Sequence, residues 1–189
     1  EGARGGDEGV LVLGGGGDPD IVRGFDRAVE NRRHLIPFGP DTVAGAHVGR
    51  VALVVYVDSG STDGSVQMAQ AMGVHVIQLD MSVPFTAARA RNVGWRALLE
   101  LAPNLEFVQF VDGDCTLEAE WLHAGRSHLQ AHPEVGLVTG WRSELYPQAT
   151  VYNSLFQADW LRPAGPIKTC GGDMMVRSAA FQAIGGFDP

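Results

Sequence analysis

Two short apolar runs, ALVVYV (52–57) and FVQFV (107–111), each end in acid: Asp58 follows the first, Asp112 and Asp114 the second. Both runs are β-branched or aromatic almost throughout and lack the apolar–polar alternation of a half-exposed strand. Such runs suit strands buried on both faces, as in mostly parallel sheets with helices above and below. VHVIQL (74–79) and VGLVTGW (135–141) are two further strand candidates. Helical stretches lie between the strands. One covers 64–72 and closes at Gly73, and a second covers 86–102, with Thr86 as N-cap and Pro103 as stop. A third, 118–131, precedes His132-Pro133, and RSAAFQAI (177–184) precedes Gly185-Gly186. Strand and helix alternate, the pattern of an α/β domain. Ligands of open α/β sheets bind just outside the carboxyl ends of the strands, which is where these acids fall.

Composition narrows the partners. At 189 residues and 45% hydrophobic content, the chain can bury one good core but not two. A net charge of −8 argues against a nucleic-acid binder, which needs a basic face. A polyanionic ligand would have to be met by a local basic patch or a metal. Only Cys115 and Cys170 are present, so no disulfide framework is implied. No apolar run approaches the ~18 residues of a membrane span, and the N-terminus lacks the form of a signal peptide. The expectation is a cytoplasmic protein.

DSGSTDGS (58–65) follows its strand directly, and its small residues let the backbone turn tightly and approach a ligand. Asp58 can accept hydrogen bonds from a nucleobase or ribose, and Asp63 can cap the next helix. On the 86–102 helix, Arg89, Asn92 and Arg96 share one face at 100° per residue, whereas Arg91 points elsewhere. A basic patch there suits a diphosphate. Trp95, Leu98 and Leu101 read as the helix's core side. FVDGDCTLE (110–118) sets two carboxylates one residue apart, with Gly113 leaving room between them. Carboxylates are hard ligands suited to Mg²⁺ or Mn²⁺. GGGG (14–17) after VLVL fails as a dinucleotide loop, because Pro19 takes the third required glycine position, and reads instead as a flexible loop. His128 and His132 form an i, i+4 pair without a third zinc ligand beside them.

Taken together, VYVDSGSTDGS (55–65), AARARNVGW (87–95), FVQFVDGDCTLEAEWL (107–122) and CGGDMMVRSAAFQAIGGFDP (170–189) resemble the family 2 glycosyltransferases of the GT-A fold. The resemblance implies a nucleotide-sugar-binding α/β fold with a mostly parallel sheet flanked by helices. It implies a nucleotide-diphosphate sugar as donor, and a saccharide, lipid or small molecule as acceptor. It places Asp58, Ser59, Asp63, Arg91, Asn92 and Asp112 at the donor. Asp114 would be the main ligand of Mg²⁺ or Mn²⁺, with Asp112 beside it, and Gly171, Gly172 and Asp173 would border the acceptor. Two other readings stay open. DGDCT also fits the D-x-D-x-T of haloacid-dehalogenase-type phosphatases, with Asp112 as nucleophile and Thr139 and Lys168 as its further motifs. A non-catalytic nucleotide-binding module is the other.

The chain departs from the family's pattern at both ends. Residues 1–50 hold 12 of the 25 glycines and read as a divergent segment ahead of a domain at 51–189. LIPF (35–38) looks like a trace of the family's opening turn, yet only 20 residues lie between Pro37 and Asp58. VLVL (10–13) followed by 21–33 is the better opening strand and helix. At the other end, the family's catalytic base falls just beyond GGFDP, so the expectation is a domain incomplete at its C-terminus. Its base would lie past Pro189, with Asp173 the only local candidate.

Overall fold

The computed structural model describes residues 10–15, 53–62, 64–71, 73–112, 115, 117, 120–161, 163–170 and 173–188. Among them run β1 (Val10–Gly15), β2 (Leu53–Asp58), α1 (Ser65–Ala71), β3 (His75–Gln78) and α2 (Ala87–Leu101). These are followed by β4 (Phe107–Asp112), α3 (Trp121–Ala131), β5 (Leu137–Val138), α4 (Val151–Trp160), β6 (Met174–Arg177) and α5 (Ser178–Ala183). The strands form one sheet in the order β3-β2-β1-β4-β6-β5. β3, β2, β1 and β4 are mutually parallel, whereas β6 runs antiparallel to both β4 and β5. The mostly parallel α/β sheet expected from the apolar runs is present.

Both faces of the sheet are covered, which is why β2 and β4 carry no alternating pattern. On one face Val55, Val57, Val108, Phe110, Met174 and Val176 pack with Trp95 and Leu98 of α2 and Phe181 of α5. On the other, Tyr56 and Val111 meet Val66 and Ala69 of α1, while Phe107 and Met175 meet Leu129 of α3. Side chains buried as fully as Leu98 and Phe110 contribute about 1.5–3 kcal/mol each. α2 starts where its cap does: the Thr86 hydroxyl accepts the Arg89 N–H at 3.0 Å. Its core stripe ends at Leu98. Leu101 is exposed rather than core, since six residues beyond Trp95 turn the helix to about 120° from that direction.

Four elements differ from expectation. VLVL does form a strand, but β1 continues through Gly14 and Gly15, so these two belong to the sheet rather than to a loop. Of VGLVTGW, only Leu137 and Val138 pair, and they do so antiparallel to β6. β6 and α4 were not expected at all. The candidate opening segments at 21–33 and 35–38 lie outside the described residues.

Candidate functional site

The backbone register builds the site. Gly15 lies opposite Asp58, and Gly14 opposite Asp112, because β1 sits between β2 and β4. With strands about 4.8 Å apart, the two acidic strand ends stand about 10 Å from each other across a strand end that has no side chains. Between β1 and β4 the sheet changes direction: β1, β2 and β3 run outward on one side, and the chain then crosses to β4 on the other. Such a switch point is where open α/β sheets bind ligands.

Asp58 is 1% exposed. One of its carboxylate oxygens accepts the Gly60 N–H at 3.0 Å, and both are within 3.3 Å of the Ser61 N–H. The Tyr56 hydroxyl, on the same face of β2, donates to it at 3.2 Å. The carboxylate therefore holds the DSGS turn in shape, a task that the linear sequence did not reveal. Gly60 adopts φ +94° there, which favours glycine. Ser59 is partly exposed on this turn. Asp63 lies outside the described residues.

Arg91 Nη2 donates to Asp112 Oδ1 at 2.7 Å, with the arginine largely enclosed and the carboxylate 43% exposed. Its guanidinium also lies over the Phe187 ring, 5.5 Å from the centroid. Of the three arginines of the expected basic patch, Arg89, Arg91 and Arg96, it is Arg91 that stands at the strand end. Arg89 donates to Asp80 O (2.7 Å) and Val83 O (3.1 Å), bracing the loop before α2. Arg96 is exposed. Asn92 is buried, and its amide clamps Phe187: Nδ2 donates to Phe187 O at 2.8 Å, and Oδ1 accepts Phe187 N–H at 2.9 Å. In this structure Asn92 holds the wall behind Arg91.

Asp173 opens β6. The register that sets Phe110 against Met174 brings it level with Val111 and Asp112. Its Oδ1 accepts Arg142 Nε–H at 2.7 Å, and its carbonyl accepts the Thr139 hydroxyl at 2.7 Å. Burial raises the Asp173 pKa above the ordinary carboxylate value, and the nearby Asp112 charge adds to this against the pull of Arg142. Burial and Asp173 likewise push the Cys170 thiol up, away from a reactive thiolate. Arg142 was missed in the sequence; the available signal was a cation just past the apolar run at 135–141. Gly113, Asp114, Gly171 and Gly172 lie outside the described residues.

The phosphatase arrangement required Thr139 and Lys168 to gather at Asp112. Asp112 is instead paired with Arg91, the Thr139 hydroxyl is directed to Asp173, and Lys168 is exposed on the segment 163–170.

No helix among the described residues is long and apolar enough to cross a membrane. No curated protein matches the chain. Solved structures do match in fold. TarS residues 1–349 of S. aureus give a TM-score of 0.66 at 15% identity, covering 97% of this chain and 50% of that one. Glucosyl-3-phosphoglycerate synthase of Mycobacterium tuberculosis, in complex with Mn²⁺, uridine-diphosphate-glucose and phosphoglyceric acid, gives 0.55 at 20% identity, covering 93% and 57%. The mannosyltransferase PcManGT of Pyrobaculum calidifontis, in complex with GDP-Man and Mn²⁺, gives 0.58 at 21%, covering 96% and 47%. The chain thus spans about half the length of these structures. The family model described as Glycosyl transferase family 2 matches residues 52–182, most of the chain, a span that includes Asp58, Arg91, Asp112 and Asp173. The chain belongs to glycosyl transferase family 2, and its fold is that family's GT-A fold.

Proposed function

We propose that this domain binds a nucleotide-diphosphate sugar at the carboxyl edge of β2, β1 and β4, and that its protein transfers the sugar to an acceptor hydroxyl. One observation carries the reading: Asp58 and Asp112 flank the side-chain-free end of β1 at the switch point, with Arg91 on Asp112. Uridine-diphosphate-glucose and GDP-Man in the similar structures make such donors the natural probes.

The residues present fit a divalent cation, Mg²⁺ or Mn²⁺. Asp112 is a hard oxygen donor, half open to solvent, and among the described residues only its Oδ1 is engaged, by Arg91. Asp112 and Asp114 would hold the cation, with other ligands drawn from the diphosphate. Bound there, it would offset charge developing on the departing nucleoside diphosphate. Arg91 would share its guanidinium between Asp112 and the diphosphate, a bidentate task for which arginine is suited. The turn shaped by Asp58, carrying Ser59 and leading to Asp63, would face the nucleoside. Asp173 would stand with Gly171 and Gly172 on the acceptor side. Its raised pKa suits a group that takes up the acceptor's proton.

The domain so read comprises residues 51–189 together with β1. Its two free cysteines accord with a cytoplasmic setting. The test is release of UDP or GDP from UDP-glucose or GDP-mannose in the presence of Mn²⁺. Release that disappears in Asp112→Asn supports a transferase site. Tight nucleotide binding without any release or transfer supports a non-catalytic module instead.

A further inference from the structure

α4 buries none of its residues. Thr150 caps it by accepting the Asn153 N–H at 3.2 Å, and Gln157 Oε1 accepts the Glu144 N–H at 2.6 Å. Tyr152, Phe156 and Trp160 follow one another at i, i+4 and i+8 and so form a stripe along one side of the helix. Tyr152 is 73% exposed and Phe156 51% exposed. The Phe156 and Trp160 rings stack, with centroids 5.7 Å apart and planes at 15°. At 1.5 Å per residue the stripe is about 12 Å long.

One end of the stripe runs into the site. The Arg142 guanidinium lies over the Trp160 ring at 5.8 Å, and its Nε donates to Asp173 Oδ1 at 2.7 Å. Carboxylate, guanidinium and aromatic stripe are therefore continuous. An occupant of the stripe would present a polar end to Arg142 and Asp173 and an apolar body to the rings. Exposed apolar surface that adjoins a site in this way is characteristic of ligand-binding grooves. We infer that Tyr152, Phe156 and Trp160 form the track for an apolar group on the acceptor, so that the acceptor is amphipathic, with its reacting hydroxyl toward Asp173. This rests on the acceptor-side reading of Asp173 given above.

The test compares methyl, phenyl and octyl β-D-glucoside, the last below its micelle concentration, binding to the full chain by calorimetry. Nucleotide binding is measured separately with UDP and GDP in Mn²⁺. The phenyl or the octyl glucoside binds roughly tenfold more tightly than the methyl glucoside, as expected from burial of an apolar group of that size. A preference for phenyl assigns an aromatic group, and a preference for octyl an alkyl chain. Phe156→Ala and Trp160→Ala remove the preference and leave nucleotide affinity unchanged. Phe156 is exposed, so its variant folds even if Trp160→Ala does not. Val151→Ser, about 140° round the helix from Phe156, changes nothing. Equal binding of all three glucosides overturns the inference, as does a loss in Val151→Ser equal to that in Trp160→Ala. Failure of nucleotide binding with the glucoside preference intact would refute the donor reading and leave the track standing.

Discussion

Gly186→Ala tests how the fold holds Arg91 in place. Gly186 adopts φ +91°, and a Cβ added to it would stand 2.6 Å from Asn92 Oδ1. Two costs follow. The left-handed backbone costs a side-chain-bearing residue roughly 1–2 kcal/mol, offset by ~0.4–1 kcal/mol from reduced freedom of the unfolded chain, a net of about 1 kcal/mol. The contact also forces the Asn92 amide aside, which breaks its two hydrogen bonds to Phe187 at about 1 kcal/mol each. The expected loss is about 3 kcal/mol in the wild-type background, and about 1 kcal/mol where Asn92→Ala has already removed the amide. Denaturant unfolding of both single variants and the double variant reads this coupling of about 2 kcal/mol directly. Because Phe187 packs on Phe110 and Phe181 and lies under Arg91, the same variant weakens the Arg91–Asp112 pairing and with it nucleotide affinity. Equal costs in the two backgrounds would refute the clamp, and so would a stable Gly186→Ala variant.

Three further outcomes follow from the geometry. Asp58→Ala lowers unfolding free energy by about 2–3 kcal/mol, because the hydrogen bonds that its carboxylate accepts from two backbone N–H groups and the Tyr56 hydroxyl are removed, and an unchanged denaturation midpoint would contradict this. Leu98→Ala, at a fully buried position, costs about 3 kcal/mol on the same assay, and a cost under about 1 kcal/mol would show that α2 is not packed on the sheet. The Asp173 pKa is raised in the folded state, so the folded protein binds this proton more tightly than the unfolded chain does. Stability from this group falls as pH rises from the ordinary carboxylate range through the raised value, and unfolding of wild type against Asp173→Asn across pH 4–7 shows that slope in the wild type alone.

The parts of the fold that were legible are those where local chemistry and burial agree. β2, β4 and α2 announce themselves through unbroken apolar runs, a Thr86 cap and a proline stop. β6 hid because MMVR is short and rich in methionine, and only pairing with β4 makes it a strand. α4 hid because it buries no face, so no apolar periodicity points inward. At the site, the acids and Arg91 were legible as residues but their partners were not. Which of three arginines on one helix meets Asp112 depends on the angle at which α2 crosses the sheet. The tie between Arg142 and Asp173 spans 31 residues and follows from the antiparallel return of β6. The tie between Asn92 and Phe187 was not legible, because a buried amide and an exposed one look alike in one dimension.

The central claim is that the edge held by Arg91 and Asp112 grips a diphosphate together with a divalent cation. Calorimetric titration of UDP and GDP into the chain, with Mn²⁺ and with the metal chelated, tests it most directly. One nucleotide is expected to bind at least about tenfold more tightly with Mn²⁺, because cation and diphosphate each offset charge the other faces. Asp112→Asn, which keeps an oxygen for Arg91, abolishes that difference. Equal affinity with and without the cation, or an Asp112→Asn variant that binds as the wild type does, would contradict it.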